Sequence, residues 1–413
     1  AALTRGDVAY FIARGSGTEY HAPDYRSGEA TQIQNAFLEN SAIDAARMQL
    51  SRMGEDDLKL QSSLITSSYL TAQMATEGLH LGDGAVMTSE DKTPEPTMDA
   101  TDEETRTWVR DNLAMLRSLA IQDGNKMSWI DAEMDVASET ARPAALGIGL
   151  YTGRSGLALL FERACRGFGD AEFLQSAKAS VQRELELLQT LGTSNAESYF
   201  ALEGPSGFSG QRAGTLAAFW GIGRHEGCGQ YRDLVHGILN GITDRTIELD
   251  RDFDVISGSA GLMLMMAGMK REDPSFDHDD LLIQLGEHLS RHAMQVDGTG
   301  WGMDGGKKRP LNGFDHGRAG IGLALLETGA RLDRPDFRDL GLAALRAEHE
   351  MRVDDLDGGG WPDLRSMTMT APIPKPPYFN AWCAGGEGIA LSRAAALEFT
   401  DEAFIRDDLD FAI

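Results

Sequence analysis

Hydrophobic positions along the chain fall into two alternating kinds of segment. One kind is apolar on nearly every side, as in Leu157-Ala-Leu-Leu-Phe161, Leu262-Met-Leu-Met-Met266 and Ile321-Gly-Leu-Ala-Leu-Leu326. The other is apolar at helical spacing only: Phe173, Leu174, Ala177, Val181, Leu185 and Leu188, then Leu281, Leu282, Leu285 and Leu289. A helix apolar all round must be buried, whereas one with a single apolar stripe lies between core and solvent. The pattern predicts inner and outer helices alternating along the chain.

Each all-apolar run follows a short glycine turn. The turns are Gly153-Arg-Ser-Gly156, Gly258-Ser-Ala-Gly261, Gly317-Arg-Ala-Gly320 and Gly385-Gly-Glu-Gly388, with a looser copy at Gly210-Gln-Arg-Ala-Gly214. One such turn is weak evidence, but copies spaced roughly 45 to 70 residues apart, each opening a hydrophobic helix, mark a repeat architecture. Glycine at both ends permits unusual backbone angles and close approach of backbones. A second repeat supports the first: Asp297-Gly-Thr-Gly-Trp301 precedes the Gly317 turn, and Asp357-Gly-Gly-Gly-Trp361 precedes the Gly385 turn. The later unit is longer, and the excess falls around the proline-rich Ala371-Pro-Ile-Pro-Lys-Pro-Pro377. The expected fold is all-α, an α/α toroid with a double layer of inner and outer helices.

Composition narrows the function classes. The 413 residues, 42% of them hydrophobic, can build a substantial core. A formal charge of −26 without a Lys/Arg cluster argues against nucleic-acid binding, which needs a basic surface to displace counterions. There is no apolar run of about 18 residues to span a bilayer, and Ala1-Ala2-Leu3-Thr4 has no signal-peptide pattern. Three scattered cysteines, Cys165, Cys228 and Cys383, do not make a disulfide framework. The expected location is cytoplasmic. Residues 87–104 are acidic and proline-bearing and read as a linker, separating residues 1–86, with helical patterning over 40–80, from the repeats at 105–413.

If the inner helices converge on an axis, the glycine turns at their N-termini share one face. Helix N-termini favour anions and thiolates, so that face is where chemistry is expected. It would carry Cys383 with a lowered pKa, His316 on the neighbouring turn and Asp254 on the turn before. A core thiol, a capping imidazole and a capping carboxylate are the plainer readings of the three. His288-Leu-Ser-Arg-His292 has metal-ligand spacing but sits on an amphipathic helix, where a solvated face is expected; His225-Glu-Gly-Cys228 reads as a loop, and Cys165 as a small buried hydrophobe.

Leu150-Tyr-Thr-Gly-Arg-Ser-Gly156, Asp254-Val-Ile-Ser-Gly-Ser-Ala-Gly261, His316-Gly-Arg-Ala-Gly-Ile321 and Trp382-Cys-Ala-Gly-Gly-Glu-Gly-Ile389 together resemble, in order, the repeats of LanC-like lanthionine cyclases. Arg5-Gly-Asp-Val-Ala-Tyr-Phe11 and Asp57-Leu-Lys-Leu-Gln61 look like the tail of the kinase-like dehydratase domain of class II (LanM-type) lanthipeptide synthetases, so that 1–86 would be its short helical remnant. The resemblance implies a Zn2+ enzyme that adds a Cys thiolate of a ribosomally made precursor peptide to dehydroalanine or dehydrobutyrine, closing a thioether ring. It further implies Cys383 as a metal ligand, His316 as acid/base and Asp254 as its orienting partner. ATP and Mg2+ would serve only the absent dehydratase part. The family's second Cys and adjacent His, from a Cys-His-Gly repeat, are expected beyond Ile413, making 105–413 a C-terminally incomplete cyclase. Ala384 replaces the His or Tyr of many relatives, and Phe379 an Arg of some.

Two other functions fit parts of the pattern. An α/α-toroid glycosidase could enlist Asp304, Asp315 and Asp363 with Trp301 and Trp361 as sugar platforms. A non-catalytic LanC-like scaffold could bind peptide or thiol without turnover.

Overall fold

The computed structural model describes residues 16–23, 30–37, 39–52, 102–135, 140–192, 210–354, 359–365 and 381–412, with isolated positions at 54, 58, 61–62, 64–66, 68, 199 and 369. The chain divides into two compact units, Ala1–Asp91 with Ile130–Ala144, and Lys92–Trp129 with Ala145–Ile413. In the first, β1 (Glu19–Pro23) pairs antiparallel with β2 (Ala30–Phe37), and helix α1 spans Ala42–Arg52. Phe379, Asp357, the 371–377 loop and most of the linker lie outside the described residues.

The second unit is helical, with α2 (Asp102–Ser118) followed by the repeats. The inner helices are α3 (Arg154–Phe168), α5 (Gly210–Ile222), α7 (Ser259–Glu272), α9 (Arg318–Arg331) and α11 (Gly386–Ala396). Between them run the outer helices α4 (Ala171–Leu191), α6 (Gly229–Asn240), α8 (Asp279–His292), α10 (Pro335–His349) and α12 (Ala403–Ala412). Successive inner helices pack on one another, and each packs on the outer helix that follows it. This is the double-layered α/α arrangement of a helical toroid.

The hydrophobic patterns explain the layers. In α8, Leu281, Leu282, Leu285 and Leu289 are all buried, each worth about 1.5–3 kcal/mol relative to exposure. Every residue of α9 from Arg318 to Gly329 is buried, because α7 and α11 flank it on both sides. The helices at the two ends of the inner series depart from burial all round. Leu160 on α3 and Leu391 on α11 are exposed, since α3 packs on α5 and α11 on α9.

The outer layer is tied in by a repeated tryptophan. Trp301 Nε1 donates to the Leu289 carbonyl at 2.7 Å, and Trp361 Nε1 to the Glu348 carbonyl at 3.1 Å. Trp129, which the sequence repeat did not include, donates likewise to the Leu116 carbonyl of α2 at 2.8 Å. Each indole donates to a carbonyl in the last turn of a helix, where carbonyls run out of intrahelical partners.

Candidate active site

The glycine turns hold their shape by close approach. Gly153, Gly258, Gly317 and Gly385 are helix N-caps with φ between −156° and −119°, angles open to any residue. Space, not angle, is what constrains them: a Cβ would lie 2.2 Å from Gly149 N at Gly153, 2.4 Å from Asp254 N at Gly258 and 2.3 Å from the Asn312 carbonyl carbon at Gly317, and the second glycine of each turn is as tightly placed. A Cβ there would lie 2.1 Å from the Leu150 carbonyl oxygen at Gly156, 2.0 Å from that of Val255 at Gly261, 2.0 Å from that of Phe314 at Gly320 and 1.7 Å from that of Trp382 at Gly388. The same glycines touch the preceding turn: a Cβ at Gly320 would meet Val255 Cγ2 at 2.5 Å, and one at Gly388 would meet Phe314 Cβ at 3.0 Å.

Two backbone hydrogen bonds join three turns into one face. The Val255 N–H donates to the Asp315 carbonyl at 2.9 Å, and the Asp315 N–H to the Cys383 carbonyl at 3.0 Å. Gly313, at φ +103°, lets its loop lie directly on Cys383 and Ala384. Asp254, His316 and Cys383 are therefore carried by adjoining turns.

The best-defined contact is between His316 and Asp254. His316 Nδ1–H donates to Asp254 Oδ2 at 2.6 Å, and the Ser257 N–H donates to Asp254 Oδ1 at 2.7 Å. Asp254 has no exposed surface, and burial pushes its carboxyl up to about 6 against the opposing effect of His316. Burial by itself would lower the His316 pKa; the hydrogen bond to Asp254 and the charges of Asp254, Asp315 and Asp252 outweigh it and raise the imidazole above its ordinary value. The pairing thus favours the protonated imidazole, and with its side chain 30% exposed His316 can exchange a proton with a group outside the pair.

Asp315 is the site residue that sequence reasoning did not place with His316. Its Oδ1 accepts the His316 N–H at 2.6 Å and its Oδ2 lies 3.5 Å from His316 Nε2. It stands two residues before its N-cap glycine, as Cys383 does before Gly385. That register could have been read from the sequence; the turn of a carboxylate onto His316 Nε2 could not.

Cys383 is a half-buried free thiol. Its pKa is raised, contrary to the expectation of a lowered one. Burial and the Asp315 carboxylate outweigh the backbone donors and the Arg365 guanidinium. Arg365, in a two-pronged pair with Asp363 whose shortest contact is 2.6 Å, is within electrostatic reach of both Cys383 and Asp315. Zinc takes about four ligands in a tetrahedral shell, and among the described residues no His, Cys, Asp or Glu group of three includes Cys383. The residues described do not by themselves compose a zinc site.

The one cluster with metal-ligand spacing among them is His349, Asp407 and Asp408. Its charge is already met: Asp408 accepts from His349 Nδ1 at 2.6 Å, Arg352 at 3.1 Å and Arg393 at 2.9 Å, while Asp407 pairs with Arg352 at 2.8 Å. It is an ion-pair knot between α10, α11 and α12. His288, expected on a solvated face, has no exposed surface, because it continues the buried stripe of Leu281 and Leu285 on α8. His225 is in a turn, hydrogen-bonded to Glu162 at 3.0 Å, and Cys165 is half-buried against the core with its thiol pKa raised by burial. Trp301 and Trp361 are 2% and 1% exposed, so neither is a sugar platform, and the glycosidase reading loses its binding surface.

A model of the lanthionine synthetase C-like protein family matches residues 144–413. The chain belongs to this family. The matched residues contain all the glycine turns together with Asp254, His316 and Cys383. Among solved structures the chain is similar to "Nisin cyclase", at 18% identity and a TM-score of 0.48, over 75% of this chain and 74% of that one. No curated relative matches in sequence. Among the described residues, no helix is long and apolar enough to cross a membrane.

Proposed function

We propose that this LanC-like chain catalyses thioether ring closure in a dehydrated precursor peptide, as the cyclase part of a LanM-type lanthipeptide synthetase whose dehydratase remnant is residues 1–86. The observation that carries the reading is the hydrogen bond between buried Asp254 and part-exposed His316, on turns joined by backbone hydrogen bonds to the turn of Cys383. In the addition, a peptide thiol loses its proton and its sulfur bonds to the β-carbon of a dehydro residue. The carbon–carbon π bond breaks, and the α-carbon takes up a proton. The His316 imidazolium is suited to deliver that proton, with Asp254 fixing the Nδ1–H tautomer and balancing its charge.

Zinc, where bound, would coordinate the substrate sulfur and lower its pKa, so that the thiol proton passes to solvent or a nearby base. Cys383 is assigned as one of its ligands, with partners that the described residues do not provide, and no step is derived through the metal. A cation would also reverse the local preference of Cys383 for the thiol form.

Ring closure leaves mass unchanged, so the test counts free thiols. A dehydrated Cys-containing peptide is incubated with the protein and Zn2+, then alkylated and weighed. The expected result is loss of the alkylation increment with the wild type and its retention with His316→Asn. Equal alkylation with and without the wild-type protein, alongside stoichiometric bound zinc, would leave the non-catalytic scaffold instead. Cys383→Ala should lower bound zinc and ring formation together; unchanged zinc content sinks the ligand assignment.

A further inference from the structure

The loop that brings Asp254 to His316 is strained at the residue before it. Phe253 has φ 67° and is 1% exposed. A bulky side chain in the left-handed region persists only where its surroundings over-determine it.

Asp250 supplies that restraint. Its carboxylate, 1% exposed, accepts four hydrogen bonds. Oδ1 takes the N–H groups of Asp252 at 3.1 Å and Phe253 at 3.0 Å; Oδ2 takes the N–H of Ser259 at 2.8 Å and its hydroxyl at 2.5 Å. One side chain thus ties the strained residue to the first turn of α7. On the far side, the Phe253 ring stacks on His292 with centroids 5.0 Å apart and lies 5.5 Å from His288. The Phe253 carbonyl is held by Ala260 N–H at 3.2 Å, and the Asp254 carbonyl by Gly258 and Gly261 N–H at 3.1 Å each.

We infer that Asp250 is a positioning residue, which aims the Asp254 carboxylate at His316 Nδ1 by holding Phe253 in its left-handed conformation. This rests on the reading of Asp254–His316 as the acid/base pair. Without the restraint, Phe253 relaxes to negative φ, the 253–254 peptide plane rotates and Asp254 Oδ2 leaves the line of the 2.6 Å bond. Asp250→Asn keeps the size of the side chain but turns an NH2 group toward donors on one of its two sides, breaking bonds at either Phe253 or Ser259.

The test reads that bond directly, whether or not peptide is turned over. A proton in a short hydrogen bond from imidazole to a buried carboxylate resonates far downfield, and the His316 signal is identified by its absence in His316→Asn. Asp250→Asn should lose this resonance and lower the cyclisation rate about 100-fold, with peptide affinity unchanged. Leu185→Ala, a core truncation on α4, controls for instability and should keep the signal. If Asp250→Asn does not fold, Ser259→Ala, which removes one of the four bonds, is read instead and should weaken the signal. A folded Asp250→Asn or Ser259→Ala protein with wild-type signal and rate overturns the inference and leaves the acid/base reading intact. A wild-type rate in His316→Asn overturns both.

Discussion

Replacing Asp254 by Asn should make the protein more stable at neutral pH while abolishing its chemistry. Burial raises the carboxyl pKa of Asp254 from 3.8 to about 6. A raised carboxyl pKa means that the folded protein retains a proton the unfolded chain has already released. Stability therefore falls as pH rises from about 4 to about 6, and the deficit persists above that window. Two units at about 1.4 kcal/mol each put the cost of ionising Asp254 near 3 kcal/mol at pH 7. Asn carries no such cost, and its oxygen can still accept the Ser257 N–H that Asp254 Oδ1 now takes at 2.7 Å.

The imidazole adds a second slope of the same sign. His316 has a raised pKa, so its contribution is present below about 6.5 and is lost as pH rises through the folded value. In Asp254→Asn, Nδ1 faces an NH2 group, the proton moves to Nε2 and this slope disappears as well. Urea unfolding of wild type and variant at pH 4 and pH 7.5 measures both. Relative to wild type, the variant should gain about 3 kcal/mol or more between pH 4 and pH 7.5, while cyclisation falls about 10²- to 10⁴-fold. A variant destabilised equally at both pH values would refute the reasoning, because it would show Asp254 to be a structural acceptor whose ionisation costs nothing.

Three further outcomes follow from single contacts. Gly320→Ala drives a methyl group to 2.0 Å from the Phe314 carbonyl oxygen and should lower the urea-derived stability by about 1–3 kcal/mol or more; an unchanged midpoint would mean that the turns yield easily. Asp408→Asn leaves the fully buried Arg393 without one of its two carboxylate partners and should cost about 3–5 kcal/mol, whereas a metal site there would show instead as lost metal binding at little cost in stability. In metal-free protein, Cys383 alkylation should be slow at pH 7.5 and still rising at pH 9, since its pKa is held above the ordinary 9.0; a plateau below pH 8 would restore the thiolate expected from helix position alone.

The failure of that last expectation shows what sequence carries and what it does not. Apolar periodicity assigns α4 and α8 to the outer layer and α7 and α9 to the inner one, because burial follows from which faces are apolar. The turn register goes further, since counting back from the N-cap glycines puts Cys383 and Asp315 at equivalent places, and the Asp315 N–H bonds the Cys383 carbonyl. A charge set by neighbours is beyond such counting. The backbone amides at the turn do act on Cys383, but the loss of solvent and, after it, the carboxylate of the adjoining turn act more strongly. The brace at Asp250 was hidden for a related reason: its four donors belong to Asp252, Phe253 and Ser259, and only the left-handed bend at Phe253 brings both ends of that loop within reach of one carboxylate. Periodicity thus locates the face that brings Asp254, His316 and Cys383 onto adjoining turns, and the protonation preference of each group on that face is decided by its burial and by the neighbouring turn.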